Sequence, residues 1–178
     1  LGSTGSIGRS TIKIVRNDKT NFDVVLLTTN NNYKEILKQI KEFKVRNIII
    51  NNYKHYLNLK KKIKNKKINI FNNFDSFNKN FKGKIDFTMS AISGLEGLKP
   101  TLDIIKFSRT IAIANKESII CAWNLIQKKL KKYKTKFIPV DSEHFSIWSL
   151  LNGNRNGIEQ IFITASGGPF LNLHSAKF

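Results

Sequence analysis

LGSTGSIG, residues 1–8, carries glycines at positions 2, 5 and 8. The G-x-x-G-x-x-G spacing is a variant of the turn that leads a β-strand into a helix beneath a dinucleotide. In such a turn the first glycine allows a tight exit from the strand. The second lets backbone N–H groups approach a pyrophosphate, and the third lets the helix pack closely on the sheet. The helix that follows offers Ile7, Ile12 and Val15 to a sheet. Its N-terminus, with unpaired N–H groups and a partial positive charge, suits a phosphate. Only Leu1 stands for the preceding strand. The expectation is therefore an internal fragment with its first strand truncated.

Downstream the chain alternates apolar strand-like runs with amphipathic helical ones. Strands are expected at 22–29 (FDVVLLTT), 45–50, 68–71, 84–91, 109–114, 136–140 and 158–165. Helices are expected at 33–43, 52–64, 98–107, 117–132 and from about Ser142 to Leu151. The Asn-rich stretches at Asn30–Asn32 and Asn72–Asn73 read as loops. Strands apolar on both faces, separated by such helices, predict βαβ units. The fold class is α/β: a Rossmann-like, doubly wound, mainly parallel sheet with helices on both faces, followed by the start of a second α/β domain. The expected division is 1–140 for cofactor binding and 141–178 for the beginning of a catalytic domain.

The 178 residues carry a formal charge of +19 and are 40% hydrophobic. Lys, Asn and Ile dominate throughout, and lysine stands almost everywhere that arginine could. A base or phosphate reader favours Arg at its specific contacts. The charge therefore reads as compositional drift, and no nucleic-acid partner is expected. No apolar run reaches the length of about 18 residues that suggests a membrane span, and no signal peptide is visible. The single thiol, Cys121, fits a reducing compartment and reads as a buried small hydrophobe. Trp123 and Trp148 read as core.

Three further stretches fall at or near strand ends. In PVDSEH (139–144), Asp141 and Glu143 would point the same way if the segment stays extended. Two hard oxygen ligands suit Mg²⁺ or Mn²⁺; the competing reading is a helix N-cap by Asp141 or Ser142. In ANKES (114–118), Lys116 could reach a substrate oxygen or phosphate, while Asn115 and Glu117 could simply start a helix. In TASGGPF (164–170), Ser166 and two glycines could face a phosphate or form an ordinary turn. The end of the second strand, Asn30–Asn32, has no Asp or Glu to hold a free ribose 2′-hydroxyl, which favours NADP over NAD.

LGSTGSIG, ANKES, PVDSEH and SGGPF, in this order, resemble the 1-deoxy-D-xylulose-5-phosphate reductoisomerase family, as does AISGLEGLKPTL (91–102). The resemblance implies an NADPH- and divalent-metal-dependent oxidoreductase and isomerase of the non-mevalonate isoprenoid pathway. Its substrate, deoxyxylulose phosphate, is rearranged and reduced to methylerythritol phosphate. The resemblance makes Asp141 and Glu143 ligands of Mg²⁺ or Mn²⁺ and, with Lys116, catalytic. It places Ser142, Ser166 and Lys116 on substrate, and Thr4, Gly5, Ser6, Ile7, Asn32, Asn115 and Glu117 around NADPH. Where the family often has Gly-Lys-Asn beside the 2′-phosphate, this chain has Asn30-Asn31-Asn32, with Asn32 matching. The family's third metal-ligating glutamate belongs to a later motif that these residues lack, so the fragment alone is expected to be inactive. A homodimer is expected of the full-length enzyme, in a bacterial cytoplasm or, alternatively, a plastid-type organelle. The alternatives are another NADP-dependent oxidoreductase, such as a semialdehyde dehydrogenase, or a basic nucleic-acid-binding domain.

Overall fold

A computed structural model of the chain describes residues 1–152 and 157–162. It divides into two compact units, one of Leu1–Asp141 and one that begins at Ser142. In the first, α1 (Ser6–Asn17) precedes β1 (Leu26–Thr29), α2 (Tyr33–Phe43), β2 (Asn47–Ile50), α3 (Tyr53–Lys62), β3 (Asn69–Phe71) and α4 (Phe74–Asn80). Then come β4 (Ile85–Ser90), α5 (Leu98–Ile104), β5 (Ser108–Ile113), α6 (Lys116–Tyr133) and β6 (Lys136–Pro139). The second unit opens with α7 (Ser142–Leu151).

Strands β1, β2 and β3 form one parallel sheet, in that order, with Leu26 opposite Asn47 and Asn47 opposite Asn69. Strands β4, β5 and β6 form another, also parallel, with Ser90 opposite Ile113 and Ile113 opposite Pro139. The first three residues of the chain join the two sheets. Leu1 donates from its backbone nitrogen to the Met89 carbonyl and accepts from the Ala91 amide at 3.1 Å, which is the bonding pattern of a parallel ladder. Two residues on, the Ser3 amide donates to the Thr28 carbonyl at 3.0 Å. The carboxyl ends of β1 and β4 thus meet at the glycine turn.

Successive residues of a strand face opposite sides, and β2 shows it. Ile49 packs with Phe77, Ile104, Ile111 and Ile126, whereas Ile48 and Ile50 pack with Ile12, Ile36, Ile40 and Leu59. A strand buried on both faces needs a helical layer on each, as in a doubly wound fold. Helix α1 presents Gly8 and Ile12 inward. Ile7, expected to face the sheet, is instead 42% exposed, because the inward stripe runs through Gly8 and Ile12, both buried, to the half-buried Val15 at helical spacing.

Several expectations are corrected. The strand expected over 22–29 pairs only from Leu26 to Thr29, the span matched by the four residues of β2. Helix α4 falls where no element was expected. Asn73 caps it by accepting from the Ser76 amide at 2.7 Å, and Phe74 and Phe77 anchor it in the core. Cys121 is exposed, not buried, because α6 buries the stripe Ser118, Ile119, Ala122, Ile126 and Leu130. Trp123 lies outside that stripe, 36% exposed, and leans on Phe137. Of the strand expected over 158–165, residues 158–162 form none, and 163–165 lie outside the described residues.

Candidate functional site

The glycine turn is shaped by backbone contact. Gly2 has a φ of 71°, and a Cβ there would stand 2.7 Å from the Ala91 carbonyl oxygen. A Cβ on Gly8 would meet the Gly2 carbonyl oxygen at 2.1 Å, so only glycine lets α1 come this close to the turn. Gly5 differs: its nearest neighbour would be the Gly2 oxygen at 3.4 Å, ordinary contact. The surface over Gly5 is open. Gly5 is also the N-cap of α1, and no side chain caps that helix. The first N–H groups of a helix have no intrahelical partner, so the α1 terminus presents donors and dipole to an anion. Gly5, Ser6 and Ile7 are exposed there, and no acidic residue occupies the first turn of α1.

Three residues that sequence reasoning passed over hold this turn in place. Thr28 accepts from the Gly2 amide through its hydroxyl at 2.8 Å. Thr29 shares a 2.7 Å hydroxyl bond with Thr4, which directs the Thr4 side chain toward the protein. Gln39, buried in α2, donates to the Ser3 carbonyl at 3.1 Å. The available signal for Gln39 was its place among Ile36 and Ile40 on the buried face of α2.

Beyond β1, Asn32 caps α2 by accepting from the Glu35 amide at 3.1 Å. Asn52 ties this loop to the end of β2, donating from its amide side chain to the Asn31 Oδ1 at 3.0 Å. Lys34 is exposed in the first turn of α2 and is a cation beside the loop that the sequence reading did not single out.

At the ends of β4 and β5, Asn115 is 3% exposed. Its Oδ1 accepts from the Ser118 amide at 2.7 Å, capping α6. Its Nδ2 donates to the carbonyls of Ile92 and Gly94. With all three positions engaged, the amide shapes the 91–97 loop and the start of α6. Lys116 and Glu117, the first residues of α6, are both exposed. Val140 donates to the Ile113 carbonyl at 3.0 Å, which places Asp141, half-buried, at the carboxyl end of β6. Gly2, Gly5, Asn115, Lys116 and Asp141 therefore share the carboxyl edge of the parallel strands, where α/β folds bind ligands.

The extended run in which Asp141 and Glu143 would point the same way does not occur, since α7 begins at Ser142. Ser142 and Glu143 are exposed in the first turn of α7, and Ser166 lies outside the described residues. Among the described residues no three His, Cys, Asp or Glu gather as a metal cluster. The two carboxylates have the donor chemistry of a hard divalent cation but supply only part of a coordination shell. The open cradle at Gly5 fits a pyrophosphate. Cys121, the nucleophile that a semialdehyde dehydrogenase would need, lies within α6, away from the strand ends. Six cations, Lys41, Lys44, Arg46, Lys62, Lys64 and Lys67, line a cleft of about 640 Å³. It precedes β2 and β3, at the edge opposite the glycine turn.

Fold and edge together define a doubly wound α/β domain of the dinucleotide-binding kind. Residues 1–123 match the 1-deoxy-D-xylulose 5-phosphate reductoisomerase family, and residues 137–178 match the C-terminal domain described for it. The chain belongs to the 1-deoxy-D-xylulose 5-phosphate reductoisomerase family. It is 63% identical to the reductoisomerase of Pelagibacter ubique, over all of this chain and 47% of that protein. It is 37% identical to that of Caldanaerobacter subterraneus, over 96% of this chain and 44% of the relative. The chain thus spans about half the length of the curated relatives it matches. A solved Zymomonas mobilis reductoisomerase in complex with NADPH superposes with a TM-score of 0.87 and 35% identity, over 99% of this chain and 47% of the other. A reductoisomerase in complex with NADPH, fosmidomycin and magnesium superposes with a TM-score of 0.74 and 30% identity, over 84% and 37%.

Proposed function

We propose that the chain is the cofactor-binding part, and the beginning of the catalytic part, of an enzyme that converts 1-deoxy-D-xylulose 5-phosphate to 2-C-methyl-D-erythritol 4-phosphate. The observation that carries this reading is the open, uncapped α1 terminus at Gly5, on the same strand edge as Lys116 and Asp141. Similar chains have been solved with NADPH and with magnesium. When bound, NADPH supplies the hydride and a divalent ion supplies a Lewis acid for adjacent substrate oxygens.

In this reading the N–H groups of Gly5, Ser6 and Ile7 bind the pyrophosphate, with Thr4 buttressed from behind by Thr29. Asn32 and the α2 terminus border the adenosine ribose. Asn115 acts as a positioning residue that sets the 91–97 loop and points Lys116 and Glu117 outward toward cofactor and substrate. Asp141 and Glu143 hold Mg²⁺ or Mn²⁺, and Ser142 and Ser166 bind substrate. The full-length enzyme is a homodimer in this proposal. A bacterial cytoplasm, with a plastid-type organelle as the alternative, belongs to the same proposal; the thiol of Cys121 fits a reducing compartment.

With two carboxylates for the metal, residues 1–178 bind NADPH without turning over substrate. The test is Asp141→Asn in the complete enzyme, followed by loss of reduced-nicotinamide absorbance with deoxyxylulose phosphate. Turnover should fall at least a hundredfold while NADPH affinity stays within about twofold, because the carboxylate serves the metal and not the cofactor. A variant with normal turnover would remove Asp141 from the metal site.

A further inference from the structure

At the amino ends of β2 and β3, the cleft of about 640 Å³ is walled by the ends of α2 and α3 and by the loops that follow them. We propose that it binds a soluble aliphatic phosphate ester, with the phosphate among the cations and the alkyl body on an apolar floor. The inference is independent of the cofactor reading, since the cleft lies across the sheet from the glycine turn.

Two features set the cleft apart from a generally basic surface. The first is unbalanced charge. No Asp or Glu lies between Glu42 and Asp75 in the chain. Glu42 itself is engaged elsewhere, by Arg16 at 2.6 Å and Lys19 at 3.1 Å. Among the described residues, no acid lines the cleft and none of its six cations joins an ion pair. Lys41 and Lys62 lie in the last turns of their helices, where the dipole favours a cation. Arg46, Lys64 and Lys67 lie beyond the helix ends and have no such role. The second feature is local backbone order. The Asn65 side chain accepts from the Lys67 amide at 3.0 Å, and the Asn65 carbonyl accepts from the Ile68 amide at 3.1 Å, which folds this loop into a turn. The Asn69 amide donates to the Arg46 carbonyl at 2.7 Å. Arg46, Lys64 and Lys67 are thereby carried on fixed backbone at adjoining strand ends.

The lining selects the occupant. Six cations exceed what one carboxylate balances, whereas a phosphate offers nearly two charges and oxygens in several directions to lysines that act as point charges. Leu37, Ile40, Ile63 and Ile68 form the floor, with Ile40 buried and the others half-buried. Such a floor stabilises an alkyl body by taking its surface out of water. Among the described residues no aromatic side chain lines the cleft, so a nucleobase would find no ring to stack on. A second copy of the chain, itself at +19, would be repelled. The volume falls within the range of about 300–1,000 Å³ usual for small-molecule sites.

The test is calorimetry on the complete enzyme, saturated with NADPH, at about physiological salt. The probe is octyl phosphate below its micellar concentration. It should bind at least tenfold more tightly than inorganic phosphate. Replacing three exposed cations together, Arg46→Gln, Lys64→Gln and Lys67→Gln, should weaken it at least tenfold and leave NADPH affinity within about twofold. Equal affinity for inorganic phosphate would reduce the cleft to simple attraction of phosphate to lysine and overturn the proposal. So would equal binding of octyl glucoside, which has the alkyl chain without the charge. Undiminished binding by the triple variant would place the probe elsewhere and refute the site. Binding to phosphatidylglycerol vesicles in place of octyl phosphate would mark a membrane-facing patch and refute it as well.

Discussion

Gly5 and Gly8 lie three residues apart in one turn, yet alanine should act on them in opposite ways. At Gly8 the new Cβ would stand 2.1 Å from the Gly2 carbonyl oxygen and 2.7 Å from the Ser3 Cα. Both are backbone atoms, so no rotamer change relieves the clash, and α1 must back away by about an ångström. Overpacking of this kind costs about 3 kcal/mol, against roughly 1 kcal/mol gained by replacing glycine within a helix. The net loss of about 2 kcal/mol should lower Tm by roughly 4–8 °C in a chain of this size. At Gly5 the Cβ meets its nearest atom at 3.4 Å, and the backbone, with φ −78° and ψ 178°, accepts any residue. Gly5→Ala should therefore cost less than about 1 kcal/mol, or under about 3 °C. Its methyl group projects where the pyrophosphate would approach, and NADPH affinity should drop at least tenfold, about 1.4 kcal/mol. Thermal melts followed by circular dichroism and NADPH titration by calorimetry measure both effects. A Gly8→Ala chain as stable as the parent would refute the turn geometry. A Gly5→Ala chain that binds NADPH normally would refute the cradle.

One other consequence is open to measurement. Asn115→Ala would strand the Ile92 and Gly94 carbonyls and uncap α6. A loss of about 2–4 kcal/mol is expected, seen as a Tm lower by roughly 5–10 °C, and a change under 1 °C would contradict its positioning role.

The alternation of apolar strands and amphipathic helices was legible along most of the chain, because period and strand composition report burial directly. Helix α2 has the expected limits, 33–43. Helix α4 was hidden because Asn72 and Asn73 read as loop, although Asn73 is a cap and Phe74 and Phe77 mark one face. Cys121 and Trp123 were misplaced because a mostly apolar stretch does not reveal which of its sides turns inward. The glycine turn, Asn115 and Asp141 were readable as strand-end residues. Gln39, Thr28 and Thr29 were not, since their part depends on hydrogen bonds between elements distant in sequence. The start of α7 was legible as well: the helix expected from about Ser142 to Leu151 is observed over Ser142–Leu151, so of the two readings of PVDSEH it is the extended one that fails after Asp141.

Amide NMR during an NADPH titration tests most directly whether the α1 terminus holds NADPH at the carboxyl edge. Saturable shifts are expected at the Gly5, Ser6 and Ile7 amides, with smaller ones around Asn30–Asn32 and Lys116. Shifts confined to the basic cleft at Lys44, Arg46 and Lys62–Lys67, fading as salt is added, would contradict it. That pattern would mark simple attraction of phosphate to lysine at the opposite edge of the sheet.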